Sequence, residues 1–288
     1  MAPISDLDRI SRALAGVTQA SSDYDLNPGI VLPEGRKLKP AAVLMPIIEA
    51  EGGARVILTI DAQLQSLIEE AFGPQPGAAV VLDPHTGEVL AMASVPAFDP
   101  GAFTMPDEDE ISRFLNDWDA PLMNRATVGV YQPGSIMKLV TASAALEARV
   151  ITSTTTFVCN GSLTIGDRTI HCWNRDGHGA VALGEALLQS CNVYFMQVGR
   201  RLGARRLRDA LERMGFSHPT GWLLEEQAGH LPSRRLTGGE VAMLAMGQGE
   251  ISVTVLQSAV MAAVFANRGW LVQPWVVRAV DGRPLGGQ

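Results

Sequence analysis

Ser135 and Lys138, three positions apart, are the residues of this chain best suited to chemistry. Residues i and i+3 are neighbours on a helix, so the amine of Lys138 can reach the hydroxyl of Ser135. A serine hydroxyl becomes a useful nucleophile only when a nearby base takes its proton. Pro133 and Gly134 place Ser135 at a helix start, where free N–H groups stabilise a developing oxyanion. The spacing therefore predicts acyl transfer through Ser135.

A second polar motif consists of Ser190 and Asn192, which flank Cys191. Side chains two positions apart in an extended or turn segment point the same way, so Ser190 and Asn192 can share one pocket while Cys191 packs elsewhere. The predicted catalytic residues are therefore Ser135, Lys138, Ser190 and Asn192. A simpler interpretation stays open, in which the serines cap helices and the lysine is solvated.

Longer stretches accompany these motifs: Tyr-Gln-Pro-Gly-Ser at 131–135, Asn-Arg-Ala at 124–126, Gly-His-Gly at 177–179, Met-Gly-Gln-Gly at 246–249, and residues 77–94 and 96–100. Together they resemble the transpeptidase domain of class B penicillin-binding proteins, most of all the elongation-type enzymes of peptidoglycan synthesis. The resemblance runs from about residue 54 to the end. It implies an α+β fold of the penicillin-binding-protein and β-lactamase type, with a helical cluster against an antiparallel sheet.

The resemblance also implies a function. Ser135 would attack the D-Ala-D-Ala bond of a peptidoglycan stem peptide with Lys138 as base, while Ser190 and Asn192 relay protons and hold the substrate. β-Lactams would acylate the same serine, and no metal or organic cofactor is required. Cell-wall elongation proteins are expected partners, and the periplasmic, outer face of the cytoplasmic membrane is the expected location.

One family motif is missing. Members carry Lys-Thr-Gly or Lys-Ser-Gly on a strand after the Gly-Gln-Gly segment, and these 288 residues contain neither. We therefore expect a transpeptidase-like domain over residues 54–288 that lacks its C-terminal strands and is inactive or impaired. Residues 1–53 read as an unrelated leader. It has a short run at 38–46 that is faintly similar to Nudix-type coenzyme A pyrophosphatases, without the Nudix box.

Charge and hydropathy exclude other classes. A net charge of −7 and no basic cluster argue against nucleic acid as a partner. No apolar stretch of ~20 residues is present, and the N-terminus lacks the pattern of a signal peptide, so neither anchor nor signal is expected here. Rival functions are a β-lactamase or β-lactam sensor, a non-catalytic scaffold, and a broken fusion product.

Three cysteines are too few for a disulfide framework. Cys159 and Cys172 would face each other across a hairpin that turns at 165–166, whereas a turn at 166–167 would break this pairing, so a disulfide stays open. A zinc site made of Cys159, His171, Cys172 and His178 is a weaker alternative, because adjacent residues of a strand point to opposite faces.

Hydrophobic periodicity and turn residues predict the elements that position these groups. We expect a strand at 56–61 and a hairpin of 78–82 with 89–93. The predicted helices are 62–72, 135–148, 180–188, 204–214 and one from the N-cap Thr254 to Asn267. The helix at 135–148 is mostly apolar and is expected to be buried.

Overall fold

The computed structural model describes residues 56–99, Phe103 and residues 108–284. The leader predicted at 1–53 and its boundary lie outside these residues. The chain divides into two compact units. Of the described residues, the first unit holds those up to Gly129, Thr220–Glu226 and those from Ala262 onward, and the second holds Val130–Pro219 and Gln227–Met261.

A hairpin and a helix form the centre of the first unit. Strands β2 (Gly77–Leu82) and β3 (Val89–Val95) pair in antiparallel register, as predicted. Helix α1 (Ala62–Phe72) packs on β3. The buried amide of Gln65 bonds both the N–H and the carbonyl of Met92, which fixes the helix on the strand.

A three-stranded antiparallel sheet and a second helix complete the first unit. The sheet has the order β1-β8-β9, with β1 at Val56–Leu58, β8 at Val277–Val280 and β9 at Arg283–Pro284. Strand β1 is shorter than the predicted 56–61. Helix α2 spans Glu108–Asn116.

Helices make up most of the second unit, which contains all the predicted catalytic residues. A 3-10 turn at Gly134–Ile136 leads into α3. The helices are α3 (Met137–Glu147), α4 (Leu183–Leu188), α5 (Asn192–Leu202), α6 (Ala204–Arg213), α7 (Gly238–Leu244) and α8 (Val255–Ala266), the last of which ends in the first unit. In the described part of the chain, no helix has both the length and the apolar character needed to cross a membrane.

Helix α3 lies at the centre of this unit. It gives Ala142 and Ala145 to one buried cluster of side chains and Met137, Val140 and Ala144 to another. A helix that is apolar on several faces must be enclosed by other elements. The prediction of a buried central helix is therefore confirmed.

Two small hairpin-like pairs lie between α3 and α4. Their strands are β4 (Phe157–Cys159) with β7 (Gly179–Val181), and β5 (Ser162–Ile165) with β6 (Arg168–His171). The helix predicted at 180–188 therefore begins later, at Leu183, because its first residues pair with β4 as a strand.

The register of β5 and β6 settles the open question about the hairpin turn. Ile165 pairs with Arg168, so the turn lies at 166–167 and not at 165–166. Cys159 pairs with Gly179 on β7 instead of facing Cys172. The strand pairing that would have favoured a disulfide between the two cysteines is thus wrong.

Candidate active site

Hydrogen bonds to the loop after α7 hold the segment that carries Ser135. Tyr131 forms an isolated antiparallel bridge with Val253, and the N–H of Gly134 donates to the carbonyl of Gly247 at 2.9 Å. Gly134 has a φ of +59°, which glycine adopts without a steric penalty. The 3-10 turn then leaves Ser135 exposed in front of α3.

Lys138 is buried next to Ser135, with only 2% of its surface exposed. Its Nζ lies 3.1 Å from Ser135 Oγ, 2.9 Å from Ser190 Oγ, 2.8 Å from the Ser190 carbonyl oxygen and 2.7 Å from Asn192 Oδ1. Burial disfavours the charged ammonium and lowers the pKa of Lys138 to about 8. A useful fraction of the amine is therefore neutral near physiological pH.

The partners of the Lys138 amine suit its neutral form. The Ser190 carbonyl and Asn192 Oδ1 can only accept, so they take the two N–H groups of a neutral amine. The lone pair is then left for a hydroxyl. Ser190 Oγ also lies 3.0 Å from Ser135 Oγ, so the two hydroxyls and the amine form a triangle. This arrangement can take a proton from Ser135 and pass it on through Ser190.

Ser190 has an uncommon backbone conformation at the end of α4. The N–H of Cys191 donates to Ala186 and that of Ser190 donates to Leu187, at 2.8 and 3.0 Å, which is the Schellman pattern of a helix end. Ser190 occupies the position that favours glycine, with a φ of +49°. For a residue with a Cβ this conformation costs roughly 1–2 kcal/mol. The turn directs both the carbonyl and the hydroxyl of Ser190 to Lys138, and glycine would supply no hydroxyl.

The structure brings the four predicted residues, Ser135, Lys138, Ser190 and Asn192, into one hydrogen-bonded group. It adds one partner that the sequence analysis missed, the main-chain carbonyl of Ser190. No residue type signals a main-chain group, so only the left-handed turn reveals it.

Comparison with known proteins identifies the family of this site. The model of the penicillin-binding protein transpeptidase domain matches residues 77–285. The chain belongs to the penicillin-binding protein transpeptidase family. A curated relative, the peptidoglycan D,D-transpeptidase MrdA of Haemophilus influenzae, is 35% identical over 249 residues, which cover 82% of this chain and 38% of the relative. The chain spans about two fifths of the length of these curated relatives.

Solved structures of this family confirm the α+β fold class predicted from the sequence. The structure of PBP2 from Pseudomonas aeruginosa in complex with WCK 5153 has a TM-score of 0.76 and 33% identity, over 81% of this chain and 56% of that one. The complex between PBP2 and MreC from Helicobacter pylori has a TM-score of 0.74 and 28% identity, over 80% of this chain and 46% of that one.

A second cluster in this transpeptidase domain consists of three thiols and an imidazole. The ligand atoms of Cys159, Cys172, His178 and Cys191 all lie within 4.8 Å of one another, and the three cysteines are buried and free. His178 Nδ1 is 3.5 Å from Cys159 Sγ and 3.6 Å from Cys172 Sγ. Tetrahedral zinc with ligands at ~2.0–2.3 Å sets its ligand atoms about 3.5 Å apart. The four residues therefore fit a zinc ion.

Hydrogen bonds and burial shift the pKa values of the Cys172 and Cys191 thiols in opposite directions. Burial acts to raise the pKa of the Cys172 thiol, but N–H groups of Val193, Asn192 and Asn174 point at its sulfur and hold the pKa below its ordinary value. Burial raises the pKa of Cys191 to about 12. Cys191 thus keeps its proton unless a bound cation displaces it.

The composition of the cluster corrects the zinc alternative drawn from the sequence. His171 is exposed while Cys172 is buried, as their alternation along a strand predicts, so His171 takes no part. Cys191, assigned to packing from the sequence, is the missing member. The spacing Cys-x12-Cys-x5-His-x12-Cys was the available signal.

Proposed function

We propose that this domain is a peptidoglycan D,D-transpeptidase that works through an acyl-enzyme on Ser135. The observation that carries the proposal is the position of Lys138 Nζ, within hydrogen-bonding distance of Ser135 Oγ, Ser190 Oγ and Asn192 Oδ1 together. The family match and the transpeptidase relative support the same activity. The missing Lys-Thr-Gly motif led us to expect an inactive or impaired domain, but because the four polar side chains are assembled around Lys138, we propose that acylation of Ser135 takes place.

In the first half-reaction, Ser135 Oγ attacks the carbonyl carbon of the D-Ala-D-Ala peptide bond, and its proton passes to the neutral amine of Lys138. The C–N bond then breaks, and the proton reaches the departing D-alanine through Ser190. In the second half-reaction, an amine of a neighbouring stem peptide attacks the ester and restores the Ser135 hydroxyl. Asn192 holds the Lys138 amine through Oδ1, which leaves its NH₂ group for the substrate amide.

The transpeptidase proposal is tested with a synthetic stem peptide that ends in D-Ala-D-Ala and a second peptide that supplies the amine. We expect one D-alanine released for each cross-link formed, and no release with Ser135→Ala. The matched control is Ser112→Ala, since Ser112 is an exposed serine of α2. Release without cross-links would indicate a carboxypeptidase, and steady turnover of nitrocefin would indicate a β-lactamase.

We infer the partners and location from the substrate. Stem peptides lie outside the cytoplasmic membrane, so the domain works on the periplasmic side. The solved complex of a related PBP2 with MreC supports an elongation protein as partner. Co-purification of an MreC-type protein with the epitope-tagged domain from envelope fractions is the expected result, and its recovery from cytosol alone would contradict the location.

We also propose that Cys159, Cys172, His178 and Cys191 bind one zinc ion. Four protein ligands close the coordination shell, which is typical of a structural site. The ligands come from the end of β4, the residue after β6, the residue before β7 and the residue before α5. Zinc would therefore tie these ends to the start of α5, where Asn192 lies.

Metal analysis by mass spectrometry tests the zinc site. We expect one zinc per chain in protein purified without chelators, and a loss of most of it in His178→Ala. The control is His171→Ala, whose exposed imidazole lies outside the cluster and should leave the zinc content unchanged. Protein that stays metal-free when refolded with excess zinc would contradict the assignment.

A further inference from the structure

Positive charge is concentrated in the second unit where α5 meets α6. Residues 200–213 contain six arginines and two carboxylates, in a chain whose net charge is −7. The arginines alternate with apolar residues that enter the core, such as Leu207 and Leu211, so they form no continuous basic run in the sequence. Because the apolar face of α6 packs on α3, the arginines of this helix turn outward. The junction is therefore a positively charged surface on an acidic protein.

Only some of these arginines use their charge within the protein. Arg213 pairs with Glu147 at 2.8 Å, and the Arg201 guanidinium lies 4.4 Å from the centroid of the Phe157 ring. The remaining exposed arginines of this stretch form no ion pair within the described part of the chain: Arg200, Arg205 and Arg206. We call these three residues the arginine surface.

The carboxylates of α6 do not neutralise the arginine surface. Asp209 is four positions after Arg205, the spacing at which ion pairs form on a helix, but no ion pair joins the two. Glu212 forms no ion pair with these arginines either. Guanidinium groups bind carboxylates through two parallel N–H···O bonds. The donors of the arginine surface are therefore available to an anionic ligand.

The side chains around the arginine surface indicate which anionic ligand fits it. The large apolar residues between positions 200 and 213 are all buried, namely Leu202, Leu207 and Leu211. A helix that lies on a lipid bilayer exposes an apolar face to it, so a polyanion in water fits this surface better. Stem peptides that end in D-Ala-D-Ala carry a C-terminal carboxylate and repeat along peptidoglycan. The polymer thus presents a row of carboxylates.

The arginine surface lies away from the reacting groups. Helix α5 begins at Asn192, whose Oδ1 is 2.7 Å from Lys138 Nζ, and it ends at Leu202. Its eleven residues span about 16 Å. The carboxylate next to the bond that Ser135 attacks therefore binds elsewhere, whereas another stem peptide of the same polymer can reach this end of the helix.

We propose that the arginine surface binds the carboxylates of peptidoglycan strands at a site separate from the catalytic residues. A stem peptide held there raises the effective concentration of its neighbours near Ser135. The choice of ligand rests on the proposed transpeptidase function, but the binding itself is measured without acyl transfer.

Co-sedimentation of the protein with purified, insoluble peptidoglycan tests this site. We expect the wild-type protein to pellet. A variant with all three arginines of the surface replaced by glutamine should bind about tenfold more weakly, since each exposed ion pair contributes little alone. Amidation of the peptidoglycan carboxylates, or high salt, should weaken wild-type binding as much. The matched control removes three exposed arginines that form no ion pair within the described residues, and it should bind like wild type: Arg113→Gln, Arg168→Gln and Arg268→Gln.

Acylation by benzylpenicillin separates this inference from the proposed function. The compound is small and needs only the catalytic residues, so the variant of the arginine surface should react within twofold of the wild-type rate and melt at the wild-type temperature. A wild-type protein that binds peptidoglycan but is never acylated would refute acyl transfer and leave the binding site standing.

Four results would overturn the binding site. They are a wild-type protein that does not pellet, equal binding by the wild-type protein and the variant of the arginine surface, an equal loss in the control variant, and binding that ignores amidation. If the wild-type protein instead pellets with phosphatidylglycerol vesicles and not with peptidoglycan, the ligand is a lipid and the assignment to carboxylates is wrong.

Discussion

At the scale of single residues, the proposed mechanism makes the acylation rate depend on the protonation state of Lys138. Its pKa of about 8 follows from burial, and the proposed base is the neutral amine. From the pKa, about a tenth of the amine is neutral at pH 7 and about nine tenths at pH 9. We therefore expect the acylation rate constant to rise about tenfold between pH 7 and pH 9 and then to level off. Lys138→Arg, always charged, should be slower by ~10²–10⁴ with no such rise. A wild-type rate that falls over this range would contradict the role of Lys138.

Replacing Ser190 by glycine should raise the stability of the domain and lower its acylation rate. Its φ of +49° suits glycine, so Ser190→Gly relieves the strain and is expected to raise the melting temperature. About 1 kcal/mol corresponds to roughly 2–4 °C for a domain of this size. The same change removes the proton relay, so acylation should fall at least tenfold. Ser190→Ala loses the hydroxyl but keeps the strain, and should not gain stability. A less stable glycine variant would contradict this account of the turn.

At the scale of elements, the loop after α7 positions the nucleophile segment. Gly247 has a φ of +74°, and a Cβ there would lie 2.2 Å from the carbonyl oxygen of Gly134. Gly247→Ala must therefore displace the segment that carries Ser135, and we expect acylation to fall at least tenfold. The control is Gly239→Ala in α7, where a Cβ meets open space, and which should keep full activity. Equal rates in both variants would show that the loop does not position Ser135.

Local patterns in the sequence predicted much of the fold and the four side chains that the structure brings together around Lys138. Helix periodicity predicted α1 with the bounds that it has in the structure, and the spacing of Ser135 and Lys138 is itself a helical relation. The features that the sequence analysis missed depend on contacts between residues that are far apart in the chain. Strand β7 exists because β4 pairs with it, and Cys191 joins Cys159 only through that folding. Neither contact produces a periodic pattern in the nearby sequence.

At the scale of the whole molecule, zinc should link stability to activity. Cys191 lies between Ser190 and Asn192, so the proposed metal site and the catalytic site share one stretch of chain. We expect a chelator to lower both the melting temperature and the acylation rate, and zinc but not magnesium to restore them, since thiolates bind soft cations. The matched control is the same treatment of His178→Ala, which should respond to neither chelator nor zinc. An unaffected wild-type melting temperature would refute a structural metal.

The most direct test of the whole account is the site at which a penicillin becomes attached. The intact protein is treated with benzylpenicillin, digested with trypsin and analysed by mass spectrometry. We expect one adduct, on the peptide 126–138, in which Ser135 is the only serine, and none in Ser135→Ala. A folded protein that carries the adduct on another peptide, or carries none, would contradict acyl transfer through Ser135.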